Sequence, residues 1–329
     1  MLVESRLSRT PTELNLAHLY DEPSSPEKIR ARPVTGDEPS SSLPARPHQL
    51  VKFADVPSYR ATNRYLLTGY RQQDDTSVRT ALFRLHGETV NIWSHLAGSV
   101  LLLPCVLGDT YAHAPWLSML MRLHALVGLA CGYCSAAFHI AESFPLATYN
   151  SLISLDYAMA FLATVSHSAV LAAYFFHDAP HVALPLLTLL LLISVLGVRV
   201  FVSRADGEAA HTHRHYAAMV MVVPVLVAVP IGTHALLFDG AFGPVVRRWA
   251  VSFAVATLAW LLQLPERLFP PGTFDYAGSS HNVMHVMVLV TFLCLHEGVR
   301  ALLSDEEARY WEAGAAEREG EALAAAASA

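Results

Sequence analysis

The chain has 329 residues, of which 53% are hydrophobic and 15% charged, with a formal net charge of −6. Soluble domains carry about 25% charged residues, so this composition and the mean hydropathy of +0.36 exclude an ordinary soluble domain. The negative charge provides no basic surface for nucleic acid, and we expect no such partner. The unbroken apolar stretch 182–198 indicates membrane-spanning helices rather than alternating barrel strands.

The chain divides into four parts along its length. Residues 1–48 are rich in Pro, Ser, Glu and Arg, which predicts a disordered cytosolic tail. Residues 49–89 interleave aromatic residues with arginines, which predicts a juxtamembrane amphipathic segment and a short interfacial helix before the first span. A transmembrane domain at 90–303 and a C-terminal tail at 304–329, helical or unstructured, complete the chain.

The apolar segments predict an all-α membrane protein, a seven transmembrane helix bundle, because each segment approaches the ~20 residues needed to cross a bilayer. The predicted spans are 90–111, 116–140, 151–176, 180–202, 215–237, 245–264 and 281–303.

The basic residues predict that the N-terminus is cytosolic. The segment before the first span holds Lys52, Arg60, Arg64, Arg71, Arg79 and Arg84. The loops after the first and third spans hold no lysine or arginine, whereas Arg247 and Arg248 oppose the trend. The first span dominates this balance, so we expect the C-terminus on the outer side.

Three histidines and one aspartate are predicted to meet at one end of the bundle. His139 ends the second span, Asp156 lies in the first turns of the third, and His281 and His285 begin the seventh. Span counting alone brings them to the same membrane face. Three neutral imidazoles and a carboxylate can form a zinc site with an open position. The alternative is that each histidine only hydrogen-bonds a neighbouring helix.

Further polar residues accompany this group. Ser135 lies four residues before His139, so the two share a helix face. Glu88, Asn91 and His95 lie on one stripe at the start of the first span. They either orient the ligand imidazoles or belong to a capped helix start.

Other candidate metal ligands are weaker. The pair Cys131 and Cys134 forms a single CxxC motif inside a span, which favours small buried helix residues over metal ligands. His167 and His296 are interpreted as interfacial or packing residues. The alternating histidines of the loop before the fifth span favour a solvated loop over a metal site. These are His211, His213 and His215.

At these residues the chain resembles the progestin and adipoQ receptor family, which includes the adiponectin receptors and bacterial haemolysin III-type proteins. The matching segments occur in the family's order between residues 65 and 303. They are YLLTGYR (65–71), LFRLHGETVNIWSHLAG (82–98), SAAFHIAESFPLATYNSLISLDYA (135–158) and PERLFPPGTFDYAGSSHNVMHVMVL (265–289).

The resemblance implies seven helices with a cytosolic N-terminus and zinc bound by His139, His281 and His285. It further implies that Asp156 contacts a zinc-bound water and that Ser135 is the nearby hydroxyl. The family is similar to alkaline ceramidases in this arrangement, which implies a membrane lipid substrate such as ceramide or another sphingolipid. Animal members are hormone receptors and fungal members are tied to lipid and zinc homeostasis, so the plasma membrane or an endomembrane is implied. The identity of any extracellular ligand does not transfer.

Three hypotheses follow for the function. The first is a zinc-dependent ceramidase-like lipid amide hydrolase, with Asp156 and Ser135 as catalytic residues. The second is a receptor or a lipid and zinc homeostasis regulator in which zinc is purely structural. The third is a transporter or channel, which is disfavoured because the ionisable residues are expected at one membrane face rather than across the bilayer.

Overall fold

A computed structural model describes residues 49–108, 110–202, 226 and 228–328, with side chains described up to residue 325. Several sequence predictions lie outside these residues. They are the disordered tail at 1–48, the loop with His211, His213 and His215, and the first half of the predicted fifth span at 215–237.

The juxtamembrane segment folds into short elements before the first long helix. Strand β1 (Leu50–Val51) pairs antiparallel with β2 (Tyr70–Arg71), with Leu50 opposite Arg71. Helix α1 (Val78–Phe83) follows, and the Ser77 hydroxyl caps it by accepting the Thr80 backbone N–H. A side-chain oxygen at this position satisfies one of the N–H groups that a helix start leaves free.

Among the described residues, seven longer helices follow, and six of them are long and apolar enough to cross a membrane. The remaining helix, α6, is shorter and also apolar, and most of the residues just before it are not described. The all-α, seven-helix membrane bundle is thereby confirmed. The bounds are α2 (Thr89–Leu107), α3 (Pro115–Ile140), α4 (Leu146–Phe175), α5 (Pro180–Val202), α6 (Ala228–Phe238), α7 (Phe242–Leu262) and α8 (Ser280–Ser328).

Two helices, α4 and α8, differ most from their predicted bounds. Helix α4 begins at Leu146 rather than 151, directly after Pro145, and its early polar residue Ser151 bonds the Ala147 carbonyl within the helix. Helix α8 does not end at 303 but continues through the charged and Ala-rich tail. Ala, Glu and Arg are strong helix formers, and no proline interrupts them.

The helices pack mainly against neighbours in sequence, α2 on α3, α3 on α4, α4 on α5 and α7 on α8, while α8 also contacts α2 and α3. The largest core cluster joins α3, α4, α6, α7 and α8 through fully buried residues such as Leu117, Leu171, Phe242 and Leu295. Because α8 lies beside α2 and α3, its first turns reach the end of α3.

The segment before α2 is fastened over this end of the bundle by buried polar contacts. The Arg60 guanidinium binds both carboxylate oxygens of Glu142, just after α3, at 2.6 Å. The Asp275 carboxylate, in the loop before α8, accepts the Leu67 backbone N–H and the Thr68 hydroxyl. These contacts attach the segment before α2 to the end of α3 and to the loop before α8, the two places where the predicted ligand histidines lie.

Candidate metal centre

The three predicted ligand histidines converge where α3 ends and α8 begins. His139 occupies the last turn of α3, and His281 and His285 occupy the first two turns of α8. One nitrogen from each ring lies within 4.8 Å of the others. His139 and His285 are buried and His281 is partly buried. The spacing of four residues puts both α8 histidines on the face that meets His139.

The two buried histidines present one nitrogen inward and one outward. The Nε2 atoms of His139 and His285 lie 3.0 Å apart. Tetrahedral zinc with Zn–N bonds of about 2.0–2.1 Å would separate two such nitrogens by about 3.3 Å. The inward nitrogens therefore fit a tetrahedral metal ion after a small adjustment, and neutral imidazoles are the donors that zinc prefers.

The outward nitrogen of His139 is held by a carboxylate from α2. Its Nδ1 donates to Glu88 Oε2 over 2.7 Å, and Asn91 Nδ2 donates to the same oxygen over 2.7 Å. Asn91 in turn accepts a hydrogen bond of 2.7 Å from Asn282, between the two α8 histidines. This chain of contacts ties α2, α3 and α8 together around the candidate site.

The Glu88 carboxylate is kept ionised by its partners. Burial alone would raise the pKa of Glu88, but the His139 hydrogen bond and nearby histidines hold it well below its usual range. Glu88 makes no capping hydrogen bond to α2, although it precedes the first residue. The structure thus favours an orienting role for Glu88 and Asn91 over a capped helix start.

The outward nitrogen of His285 faces a fourth histidine. His95 Nε2 contacts His285 Nδ1, and the two rings meet edge to face with centroids 4.1 Å apart. Partners on the outward nitrogens of metal-binding histidines fix which nitrogen points inward. His95 and Glu88 occupy this position for His285 and His139, respectively.

The predicted catalytic pair lies beside the histidines. Asp156, in α4, is partly buried and close enough for its charge to act on His139, and its carboxylate lies beside the Ser135 hydroxyl. Ser135 is 2% exposed, and its Oγ has no hydrogen bond of good geometry among the described residues. Asp156 does not belong to the close group that His139, His281 and His285 form.

Glu266 is a positioning residue that the sequence reading missed. It is 1% exposed, and its carboxylate accepts the Ser280 backbone N–H, the Ser280 hydroxyl and the Asn63 side-chain amide. An acidic group at a helix start satisfies free N–H groups and favours the helix dipole. Glu266 thus fixes the first turn of α8, where His281 lies. Its only sequence signal was its place in the matching segment 265–289.

A narrow cleft opens next to the candidate site, between α2, α3 and α8. His95, His285, Gly98 and Gly132 line one part of it, and Leu289 lines the apolar part. It has room for about one water molecule. The cleft leads from His95 and His285 toward the apolar interior of the bundle.

Fold and site define a multi-pass helical membrane protein that carries a buried histidine cluster at one end of its bundle. Residues 83–296, well over half of the chain, match the family model described as Haemolysin-III related, and the protein belongs to this family. The family resemblance read from the sequence is thereby confirmed.

Several curated proteins are similar to this chain. ADIPOR-like receptor IZH2 of Saccharomyces cerevisiae is 26% identical, over 85% of this chain and 92% of that protein. Human progestin and adipoQ receptor family member 3 is 25% identical, over 76% of this chain and 84% of that protein. The adiponectin receptor protein of Drosophila melanogaster is 25% identical, over 75% of this chain and 58% of that protein. The chain is therefore an adiponectin-receptor-like membrane protein.

Proposed function

We propose that this protein is a zinc-dependent hydrolase of ceramidase type that cleaves the amide bond of a membrane lipid. His139, His281 and His285 hold the zinc in this proposal. The observation that carries it is the convergence of three histidine nitrogens within 4.8 Å, beside a partly buried aspartate. Structural zinc sites are usually closed by four protein ligands, whereas three leave a position for water or substrate.

A bound zinc ion would act as a Lewis acid and would lower the pKa of a coordinated water molecule to about 7. The remaining steps belong to side chains of this protein. The Asp156 carboxylate holds the attacking water and accepts its proton, which it then returns to the departing amine. The Ser135 hydroxyl, buried and without a firm partner among the described residues, donates a hydrogen bond to the substrate carbonyl oxygen.

The substrate enters from the lipid side in this proposal. The cleft beside His285 continues between Gly98 and Leu289 toward the apolar interior. Because it has room for about one water molecule, α2 and α8 must separate to admit an acyl chain. A ceramide or another sphingolipid places its amide near the membrane surface, at the depth of the helix ends that carry the histidines.

A structural zinc is the second candidate function. The three histidines come from α3 and α8, and Glu88 extends the contact to α2, so a metal here would clamp three helices. In that case the protein is a receptor or a regulator of lipid and zinc homeostasis without hydrolase activity. The favouring observation is the cross-helix hydrogen-bond chain from His139 to Asn282.

One set of measurements separates these proposals. Purified wild type, the His281→Ala/His285→Ala double variant and Asp156→Asn are compared for zinc content and for fatty acid release from ceramide. The hydrolase proposal expects zinc in wild type and in Asp156→Asn, with turnover only in wild type. Asp178 is an exposed aspartate just after α4, and Asp178→Asn is the matched control that we expect to retain full turnover.

The contrary results are equally distinct. Full turnover by Asp156→Asn contradicts the catalytic role of this carboxylate. Absence of turnover in wild type, together with a lower thermal midpoint after chelation, supports the structural clamp. Absence of zinc from wild type contradicts both proposals.

A further inference from the structure

A second group of metal-ligating side chains lies in the other half of the bundle. Cys105 near the end of α2, and His296 and Glu297 along α8, each offer one ligand atom, and these atoms all lie within 4.8 Å of one another. The helical rise of about 1.5 Å per residue places His296 roughly 16 Å along α8 from His285. The ionisable residues of the described chain are therefore not confined to the end of the bundle that holds the three histidines.

The His296 ring is buried and not fully satisfied. It is 3% exposed, and its Nδ1 has no hydrogen-bond partner among the described residues. The ring stacks nearly parallel to His124, with an interplanar angle of 11° and centroids 6.1 Å apart. A buried nitrogen without a partner costs about 1–3 kcal/mol, so packing alone gives no reason for a histidine here.

The Glu297 carboxylate is divided between two neighbours. Arg300 donates from Nε and Nη2 to Oε2, both at 2.7 Å. The other oxygen, Oε1, faces the Cys105 thiol at 3.6 Å. The arginine therefore fixes the carboxylate while the other oxygen stays directed at Cys105.

We propose that Cys105, His296 and Glu297 form a second binding site for a divalent metal ion of the zinc class. Thiolate, imidazole and carboxylate together are a donor set that zinc accepts, and the thiolate distinguishes this site from the all-histidine site. The Glu297 side chain is 44% exposed, so the cluster is not closed off inside the bundle. This site does not depend on the proposed hydrolase activity.

Metal binding displaces the proton of Cys105. The Cys105 S–H bond breaks, its proton leaves to solvent, and a metal–sulfur bond forms. One thiolate and one carboxylate bring two negative charges to the divalent ion, and His296 contributes a neutral nitrogen. The Arg300 guanidinium stays paired with Glu297, so the occupied site has a net charge of +1, which lies at the exposed side of the cluster. No electron is transferred, so the step needs neither an oxidant nor a reductant.

The test uses the full chain in detergent with His281→Ala/His285→Ala as background, which removes the first site. Co²⁺ is the probe, because a Co²⁺–thiolate bond gives a near-ultraviolet charge-transfer band that imidazole and carboxylate ligands do not give. We expect a saturable band in the background protein and its displacement by Zn²⁺. Adding Cys105→Ser abolishes the band, whereas the matched control Cys294→Ser, on α8 outside the cluster, retains it.

The Glu297→Gln substitution changes one candidate ligand and leaves the buried side chains around it unchanged. Because the carboxylate is half exposed, this protein is expected to fold and to bind Co²⁺ at least tenfold more weakly. Absence of a saturable band in the folded background protein overturns the proposal, as does a band that survives Cys105→Ser. Unchanged Co²⁺ affinity in Glu297→Gln also counts against it. The result expected of a simple thiol–carboxylate hydrogen bond is no band at all.

Discussion

The chemistry of the candidate site depends on which imidazole nitrogen points inward. Glu88 accepts from His139 Nδ1, which leaves Nε2 of the same ring free to face His285. His95 plays the corresponding part for His285. Neither partner is a metal ligand in our proposal, yet each selects the tautomer and holds the ring plane. The candidate site therefore includes Glu88 and His95 as well as the three histidines.

Glu88→Gln tests this orienting role. The substitution keeps the size of the side chain but removes the charge that favours the His139 Nδ1 proton. We expect the affinity of the purified protein for zinc to fall roughly ten- to hundredfold, the loss typical of such partners. Competition with a chelator of known affinity measures this change without relying on activity.

Glu312→Gln is the matched control for that substitution, because Glu312 is exposed on the far part of α8. Its zinc affinity should equal that of wild type. If Glu88→Gln also bound zinc as tightly as wild type, the hydrogen bond to His139 would have no orienting effect.

At the scale of helices, small residues set how closely α2, α3 and α8 approach. Gly128 on α3 faces Phe292 of α8 and Leu102 of α2, and a Cβ there would lie 2.7 Å and 3.0 Å from their side-chain carbons. The Phe292 ring has little freedom to move, since it stacks on the His124 ring and lies against the His167 ring. The centroid distances are 4.8 Å and 4.3 Å, respectively. Close packing around small residues is the usual means of helix association in membranes.

Gly128→Val is therefore expected to destabilise the bundle by about 1–3 kcal/mol, the usual cost of overpacking. Thermal unfolding in detergent measures the loss. Gly314→Val is the matched control in a helix, because only the flexible end of Arg318 approaches a Cβ at that position. Equal stability of the two variants would show that α3 and α8 separate without cost.

The spans themselves were largely predictable, whereas their contacts were not. Unbroken apolar segments near 20 residues long predict membrane helices from composition alone, and the described bounds of α2, α3, α5 and α7 follow them within a few residues. The pairing of Gly128 with Phe292 joins residues far apart in sequence. No local sequence pattern predicts such a contact.

Helix α8 is the longest element of the described residues. Its 49 residues extend roughly 73 Å at the usual rise, well beyond a bilayer. Contacts at Leu303 and Glu307 fasten it to the bundle, with Leu303 fully buried and Glu307 bound to His113 at 2.5 Å. Beyond Trp311 the described side chains are exposed or nearly so. The helix thus has a packed part and a free part.

Truncation separates these two parts. A chain that ends at Trp311 should keep the thermal midpoint of wild type, because the removed residues whose side chains are described, 312–325, are exposed or nearly so. A chain that ends at Leu302 loses Leu303 and Glu307, and we expect a loss of at least about 2–5 kcal/mol, the cost of deleting one buried leucine side chain. Equal midpoints for both truncations would mean that these contacts do not stabilise the bundle.

The sequence by itself determined the class of protein and the number of spans, and it predicted which histidines meet at one end of the bundle. Hydrophobic length is a local property, and span counting follows from it, so His139, His281 and His285 could be assigned to one membrane face. The motif order then indicated the family, and the family model matched.

Only the tertiary structure decided which partners surround those residues. The contacts of Glu88 with His139, His95 with His285 and Cys105 with Glu297 join different helices. Such pairs depend on how helices rotate and approach, which side-chain packing across the bundle fixes and no periodicity encodes. The second group of candidate ligands, Cys105, His296 and Glu297, therefore depends on the packing of α2 beside α8.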